Sequence, residues 1–198
     1  KIINMSLGFH GKGNMTEYNF YRAVNDETDV LIVAAAGNDS AYNWGDDNCT
    51  NSSYYCFDNS YPATYPVENI ISVGASDNND FQANFSNYGP GVDIFAPGQN
   101  IASASFYEDN SYKYDQGTSM AAPLVSGAIS AFWARLTHLE NDSVKTRLLK
   151  TVDKSAFFSS SLSGGRLNMN DLFYLDLNED NGTRSRTPGK MQASLGDL

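Results

Sequence analysis

The sequence predicts an α/β fold, and three observations carry that expectation. Residues 30–35 are continuously apolar and β-branched at their start, which suits a strand buried on both faces of a parallel sheet. A shorter strand pattern at residues 2–6 precedes them, with a helical segment between the two, and together these make a βαβ unit. Apolar runs return at residues 70–75 and 92–96, which supplies further strands for the same sheet.

The first strand is ended by Leu7 and Gly8, and the Gly/Lys/Asn-rich stretch up to Thr16 reads as a loop. Thr16 and Glu17 start a helix that runs to about Asn25, with Phe20, Tyr21 and Val24 as its apolar positions. Gly37 closes the strand at 30–35. Residues 39–66, rich in Asn, Asp, Ser and Tyr, read as a long surface excursion, and a loop of that length is expected to be pinned or to bind something. Pro97 and Gly98 end the strand at 92–96. Residues 101–106 and 111–115 then pair as a hairpin across Glu108, Asp109 and Asn110.

Residues 118–138 form the strongest helical stretch, with Val125, Ile129, Phe132 and Leu136 on one face and Leu124, Ala128 and Trp133 widening it. Pro123 has no N–H and is tolerated only near a first turn, which places the helix start close to Ser119. Asn141 or Asp142 caps a second helix over residues 143–152, and GGRLNMNDLF at 164–173 makes a turn into a short closing element. Residues 1–178 therefore read as one structural unit and 179–198, which lack a sustained apolar period, as a flexible tail. The strand pattern begins directly at Lys1, so the sequence reads as a fragment or a processed chain.

Thirteen basic against twenty-three acidic residues give a net charge of −10 with no Lys/Arg cluster, which argues against nucleic acid or an anionic membrane as partner. The longest apolar run, 30–36, is far below the roughly 20 residues of a membrane span. Cys49 and Cys56 enclose a polar loop. They either close a disulfide, worth about 2.4 kcal/mol by loop entropy if unstrained, or remain two free thiols. Asn-x-Ser/Thr triplets begin at Asn4, Asn14, Asn38, Asn48, Asn51, Asn84, Asn141 and Asn181 and give weak support for a secreted glycoprotein.

Two short segments carry chemistry. GTSMAAPLVSG at 117–127 puts Ser119 in a helix first turn, where unpaired backbone N–H groups and the helix field favour developing negative charge, although serines also cap helices there. VAAAGND at 33–39 puts Asn38 at the carboxyl edge of a buried strand, the edge at which open α/β sheets place their sites. Its amide suits an oxyanion donor; its plainer role is that of a turn former.

Several separated motifs then coincide in order: INMSLG at 3–8, VAAAGND at 33–39, YPATYPVENIISVGASD at 61–77, FSNYGPGVDIFAPG at 85–98, GTSMAAPLVSG at 117–127 and GGRLNMNDL at 164–172. The chain resembles the carboxyl-terminal portion of a subtilisin-like serine protease domain (subtilase, peptidase S8) and is similar to the proteinase K group. The resemblance implies a three-layer α/β fold with a mainly parallel sheet flanked by helices, lacking its N-terminal part. It implies Ser119 as the acyl-transfer nucleophile and Asn38 as the oxyanion-hole side chain. Ser6, Leu7 and Gly8 resemble the segment that pairs with substrate backbone, and Ala35, Ala36 and Gly37 the other wall of the pocket for the residue before the scissile bond; small walls there imply an apolar or aromatic preference.

The family triad runs Asp, His, Ser along the chain, and neither of the first two members matches here. His10 reads as a loop or groove residue. His138 lies about five turns down the Ser119 helix, roughly 28 Å away at the helical rise. Asp39, Asp93 and Asp115 match no triad motif. The implied function is a serine endopeptidase acting on protein or peptide substrates, secreted or in a secretory or lysosome-like compartment. This segment alone is expected to be inactive, because the Asp and His belong to a missing N-terminal part. The rival reading is a noncatalytic subtilase-like interaction domain, whereas a lipase is disfavoured because residues 117–121 lack the G-x-S-x-G elbow. The chemistry requires no cofactor. Structural calcium is compatible with the family, with Asp46, Asp47 and Asp58 either ligands or solvated loop carboxylates, and the sequence names no metal site.

Overall fold

The computed structural model describes residues 1–11, 13–43, 59–105 and 109–174. Cys49, Cys56, Asp46, Asp47, Asp58 and the expected tail at 179–198 lie outside the described residues. In chain order the elements are β1 (Ile2–Met5), β2 (Phe9–His10), α1 (Met15–Glu27), β3 (Leu31–Ala35), β4 (Ser60–Tyr61), β5 (Ile70–Ser76), β6 (Ile94–Pro97), β7 (Ile101–Ala104), β8 (Tyr112–Asp115), α2 (Thr118–Trp133), α3 (Asn141–Lys150), β9 (Asp153–Lys154), β10 (Gly165–Arg166) and α4 (Met169–Phe173).

The main sheet runs β1-β3-β5-β6-β10-β9. Each pair from β1 to β10 is parallel, and β9 alone pairs antiparallel within this sheet. The apolar β3 is buried along its whole length, as its composition requires. Its side chains alternate between two cores. Leu31, Val33 and Ala35 join Ile71, Val73, Val125, Ile129 and Phe132 under α2. Ile32 and Ala34 join Tyr21, Tyr61, Tyr65 and Ile70 on the α1 side. This alternation makes the helix–sheet–helix sandwich that the motifs implied. Val125, Ile129 and Phe132 are each almost fully buried, and burial of such side chains stabilises by about 1.5–3 kcal/mol apiece.

Several expectations need correction. The stretch after Gly8 is not all loop, because Phe9–His10 pairs antiparallel with Ser60–Tyr61. Helix α1 starts earlier and ends later than expected: Asn14, not Thr16, is its cap, accepting from the Thr16 N–H at 2.8 Å. Phe20 is 61% exposed, whereas its neighbour Tyr21 is buried; helical spacing admits either as the inward position. The excursion after Asp39 is not superficial throughout, because residues 59–65 are buried and form part of the α1-side core. Helix α2 ends at Trp133, so Leu136 and His138 lie beyond it, and Leu124 is partly exposed. Helix α3 begins at Asn141 with Glu140 before it, so Asn141 and Asp142 lie within the helix instead of capping it.

Candidate active site

Parallel strands β1 and β3 place the segments that leave their carboxyl ends, residues 6–8 and 36–39, at one edge of the sheet, and α2 starts against both. Backbone geometry explains two glycines there. Gly117 precedes α2 at φ +150°, ψ 161°, a region essentially reserved for glycine. Gly37 has φ +104°, and a Cβ on it would lie 2.3 Å from Asn87 Nδ2, so the turn that carries Asn38 excludes any larger residue.

Ser119 is half-buried in the first turn of α2. Its hydroxyl donates to the Ser6 carbonyl at 3.2 Å, and the Ser6 hydroxyl donates back to the Ser119 carbonyl at 2.7 Å. That carbonyl needs an outside donor because residue 123, whose N–H would reach it in a regular helix, is proline. Among the described residues the Ser119 N–H has no acceptor, as expected for a helix first turn.

Asn38 is exposed, yet its side chain is fixed from behind. The Thr118 N–H donates to Asn38 Oδ1 at 2.8 Å and the Thr118 hydroxyl does so at 3.0 Å. A main-chain N–H can only donate, so the atom facing it is the oxygen and the amide nitrogen faces the other way. The Gly37 N–H in turn donates to the Thr118 hydroxyl oxygen at 3.2 Å. The result is an arrangement in which a side-chain amide and a helix N–H both remain available to a developing oxyanion.

The turn around Asn38 is held by a second asparagine that is fully buried. Asn87 Oδ1 accepts from the N–H groups of Asp39 at 2.9 Å and Ala41 at 3.0 Å, and its Nδ2 donates to the Ala36 carbonyl at 3.0 Å. Buried Asn43 also donates to that carbonyl, at 2.9 Å. Sequence reasoning missed Thr118, Asn87 and Asn43. Thr118 stood inside the GTS motif, whereas Asn in an Asn-rich chain carries no local signal of burial.

The other expected site residues distribute unevenly. Leu7 is 58% exposed at the edge. A Cβ on Gly8 would sit 3.0 Å from the Tyr61 carbonyl oxygen and 3.1 Å from Ser60 Oγ, and a Cβ on Gly37 would lie 3.1 Å from the same Ser60 oxygen. Ser60 therefore lies between the two segments. Ala35 is buried in the core under α2, and Ala36 in a separate small cluster with Val92, Phe95 and Phe158, which leaves Gly37 as the open part of that wall.

No hydrogen bond joins Ser119 to either histidine among the described residues. His10 lies on β2 and pairs through Nε2 with Asp39, whose Oδ2 also accepts from the Asn38 N–H at 3.1 Å. His138 lies in a turn past the end of α2, so a separation counted along one helix does not apply. Asp93 accepts from the Ser72 N–H at 2.8 Å and faces Lys145. The Lys113 ammonium, with help from the Gln116 N–H, holds the exposed Asp115 carboxyl below its usual range. Among the described residues no three His, Cys, Asp or Glu side chains gather as a metal site, and no helix is long and apolar enough to cross a membrane.

A family model described as the subtilase family matches residues 1–182. Subtilisin BL of Lederbergia lenta is 36% identical over 168 residues, spanning 84% of this chain and 53% of that protein. A cell wall-associated protease of Bacillus subtilis (strain 168) is also 36% identical over 171 residues, spanning 86% of this chain and 16% of the relative. The chain thus spans about half the length of the subtilisin it matches. Among solved structures, one from work on the structural basis of subtilase cytotoxin SubAB assembly superposes with a TM-score of 0.71 at 28% identity, over 87% of this chain and 57% of that one. The protease domain of PatA, as its S218A mutant, gives 0.69 at 26% identity, over 87% and 58%. With the ordered motifs, the parallel sheet and a model match over nearly its whole length, the chain belongs to the subtilase family.

Proposed function

We propose that this chain carries the nucleophile and the oxyanion-stabilising groups of a serine endopeptidase, with Ser119 as nucleophile and Asn38 as the side-chain donor. The observation that carries the reading is the pair of Thr118 donors on Asn38 Oδ1, which turns the amide nitrogen away from Thr118, while the N–H of the next residue, Ser119, has no acceptor among the described residues. Attack of Ser119 Oγ on a peptide carbonyl would place the new oxyanion against these two donors. Collapse releases the amine and leaves an acyl-serine, which water hydrolyses. A histidine must take the Ser119 proton and return it to the leaving amine, and we assign it and its aspartate to the part of the peptidase domain that the relatives have beyond the matched region. On this reading the segment alone is inactive, the substrate is a protein or peptide, and the protein is secreted. Structural calcium remains compatible with the family; the loop carboxylates that suit it are outside the described residues.

The residues leaving β1 and β3, Ser6–Gly8 and Ala35–Gly37, would line the slot for the side chain before the scissile bond, with an apolar or aromatic preference. Cleavage predominantly after Arg or Lys in a peptide library would reject that preference. The reading as a whole is tested by labelling the complete protein with a fluorophosphonate. Labelling is expected to map to Ser119 and to vanish in Ser119→Ala with little change in unfolding. Asn38→Leu is expected to lower turnover about 10²- to 10³-fold, a magnitude established in subtilisin, which belongs to this same family. Normal peptidase activity in Ser119→Ala would sink the assignment, and a complete protein that never labels would favour the noncatalytic interaction domain.

A further inference from the structure

We propose that Asn4 is a positioning residue for the Ser119 nucleophile, acting through the hydroxyl of Ser6. The proposal rests on Ser119 being the nucleophile. Along β1 the side chains alternate. Met5 packs into the α1-side core, while Ile2 packs against the core under α2. Asn4 and Ser6 share the phase of Ile2 and so face α2. There they form a directional chain of hydrogen bonds: the Ser126 hydroxyl reaches Asn4 Oδ1 at 2.9 Å, Asn4 Nδ2 donates to Ser6 Oγ at 2.9 Å, and Ser6 Oγ donates to the Ser119 carbonyl at 2.7 Å.

The direction is set by proton counting. A serine hydroxyl has one proton, and Ser6 uses it on the Ser119 carbonyl, the group that Pro123 leaves without a helical donor. The lone pairs of Ser6 are then what Asn4 finds, so the Asn4 amide nitrogen must face it and the amide oxygen must face Ser126. Ser126 also lies 3.1 Å from the Ala122 carbonyl, so its proton is shared and its link is the weaker one. Removal of the Asn4 donor frees the Ser6 hydroxyl to rotate off the Ser119 carbonyl and toward the groove. The peptide plane that orients Ser119 Oγ then loses its fixed partner. Asn4 also opens an Asn-x-Ser triplet; in the fold its amide nitrogen, the atom a glycan would occupy, is the donor to Ser6.

The test uses the complete protease. Asn4→Ala is expected to lower kcat about fivefold, the effect of one well-placed hydrogen bond, with KM and Tm close to the parent. Asn4→Asp keeps the shape but offers Ser6 a second acceptor in place of a donor, and it is expected to lower kcat further than alanine does. In a Ser6→Ala background the same Asn4→Ala change should have no further effect, because its route to Ser119 is gone. Parent-like kcat in Asn4→Asp, or an equal loss from Asn4→Ala in both backgrounds, would overturn the proposal. Should Asn4→Ala not fold, Ser126→Ala serves instead: a loss of about twofold that disappears in Ser6→Ala supports the chain of bonds, and a loss that persists refutes it. If the parent itself fails to react with a fluorophosphonate at Ser119, the endopeptidase reading fails first and this proposal falls with it.

Discussion

Replacing Asn87 by alanine tests whether a residue outside the proposed oxyanion site sets the position of Asn38. Asn87 is fully buried, and its side chain makes three bonds to the turn that carries Asn38. Alanine leaves the Ala36 carbonyl with Asn43 as a remaining partner, so that group stays satisfied. The Asp39 and Ala41 N–H groups lose their acceptor outright. An orphaned donor costs about 1–3 kcal/mol, and both of these are only part-buried, so a combined loss of about 2–4 kcal/mol is expected. Asn38 directly precedes the released Asp39 N–H in the same turn, so turnover should fall as well, by less than the loss from Asn38→Leu. Urea denaturation of the complete protein gives the first number and steady-state kinetics the second. Stability within about 0.5 kcal/mol of the parent, the range of an ordinary surface change, would refute the clamp. So would a stability loss with unchanged kcat, because it would uncouple the turn from the site.

Thr118→Val keeps the main-chain donor to Asn38 but removes the hydroxyl and leaves the Gly37 N–H without its acceptor. It is expected to lower kcat about tenfold with KM unchanged, and parent-like turnover would show that the main-chain bond suffices. Gly37→Ala forces a side chain into a positive-φ turn and against Asn87. The conformational cost of about 1–2 kcal/mol and the loss of Asn87 bonds together predict about 3–4 kcal/mol of destabilisation by urea denaturation. Tyr65 accepts from the Asn14 N–H and donates to Glu17 at 2.9 Å, and burial, then Glu17, pushes its pKa far above the ordinary tyrosine value. A raised folded pKa means the contribution is complete below the unfolded value near 10 and is lost as pH rises beyond it. The parent should therefore lose stability above about pH 10 relative to Tyr65→Phe, and parallel pH profiles for the two would contradict this.

What was legible in the sequence follows a physical divide. Apolar strands buried on both faces announce themselves, so β3 and β5 came out within a residue. The placement of Ser119 at a helix start and of Asn38 past a strand end was legible because glycine and small residues next to such ends form spaced motifs. Two-residue strands such as β2 and β4 have no period to detect, and their pairing across fifty residues depends on the Gly8 segment approaching Ser60. The end of α2 was overestimated because Leu136 keeps the helical phase, while the chain actually turns at Ala134, whose N–H bonds the Phe132 and Ser130 carbonyls. Asn87 and Asn43 were illegible for a different reason. An asparagine is read as a turn former by default, and only the fold reveals that these two are buried inside the turn, supplying its hydrogen bonds from below.

Pro123 and Gly37 show how the same site depends on groups that are absent. Gly37 has no Cβ, and into that space the Asn87 amide fits to hold the turn. Pro123 has no N–H, and the Ser119 carbonyl it leaves open is taken by Ser6 from the segment that follows β1. Each omission converts a local backbone requirement into a tie between distant segments: residue 37 to residue 87, and residue 119 to residue 6. Such ties explain how Ser119 and Asn38 lie at the open edge of a sheet and are still held by hydrogen bonds from other segments. The α2 start is fixed to β1 by Ser6 and to the end of β3 by Thr118 and Asn38, so the three segments cannot shift independently. Supplying the missing group, an N–H through Pro123→Ala or a methyl through Gly37→Ala, should therefore loosen the site: the first gives the Ser119 carbonyl a helical donor in competition with Ser6, and the second pushes a carbon against the Asn87 amide.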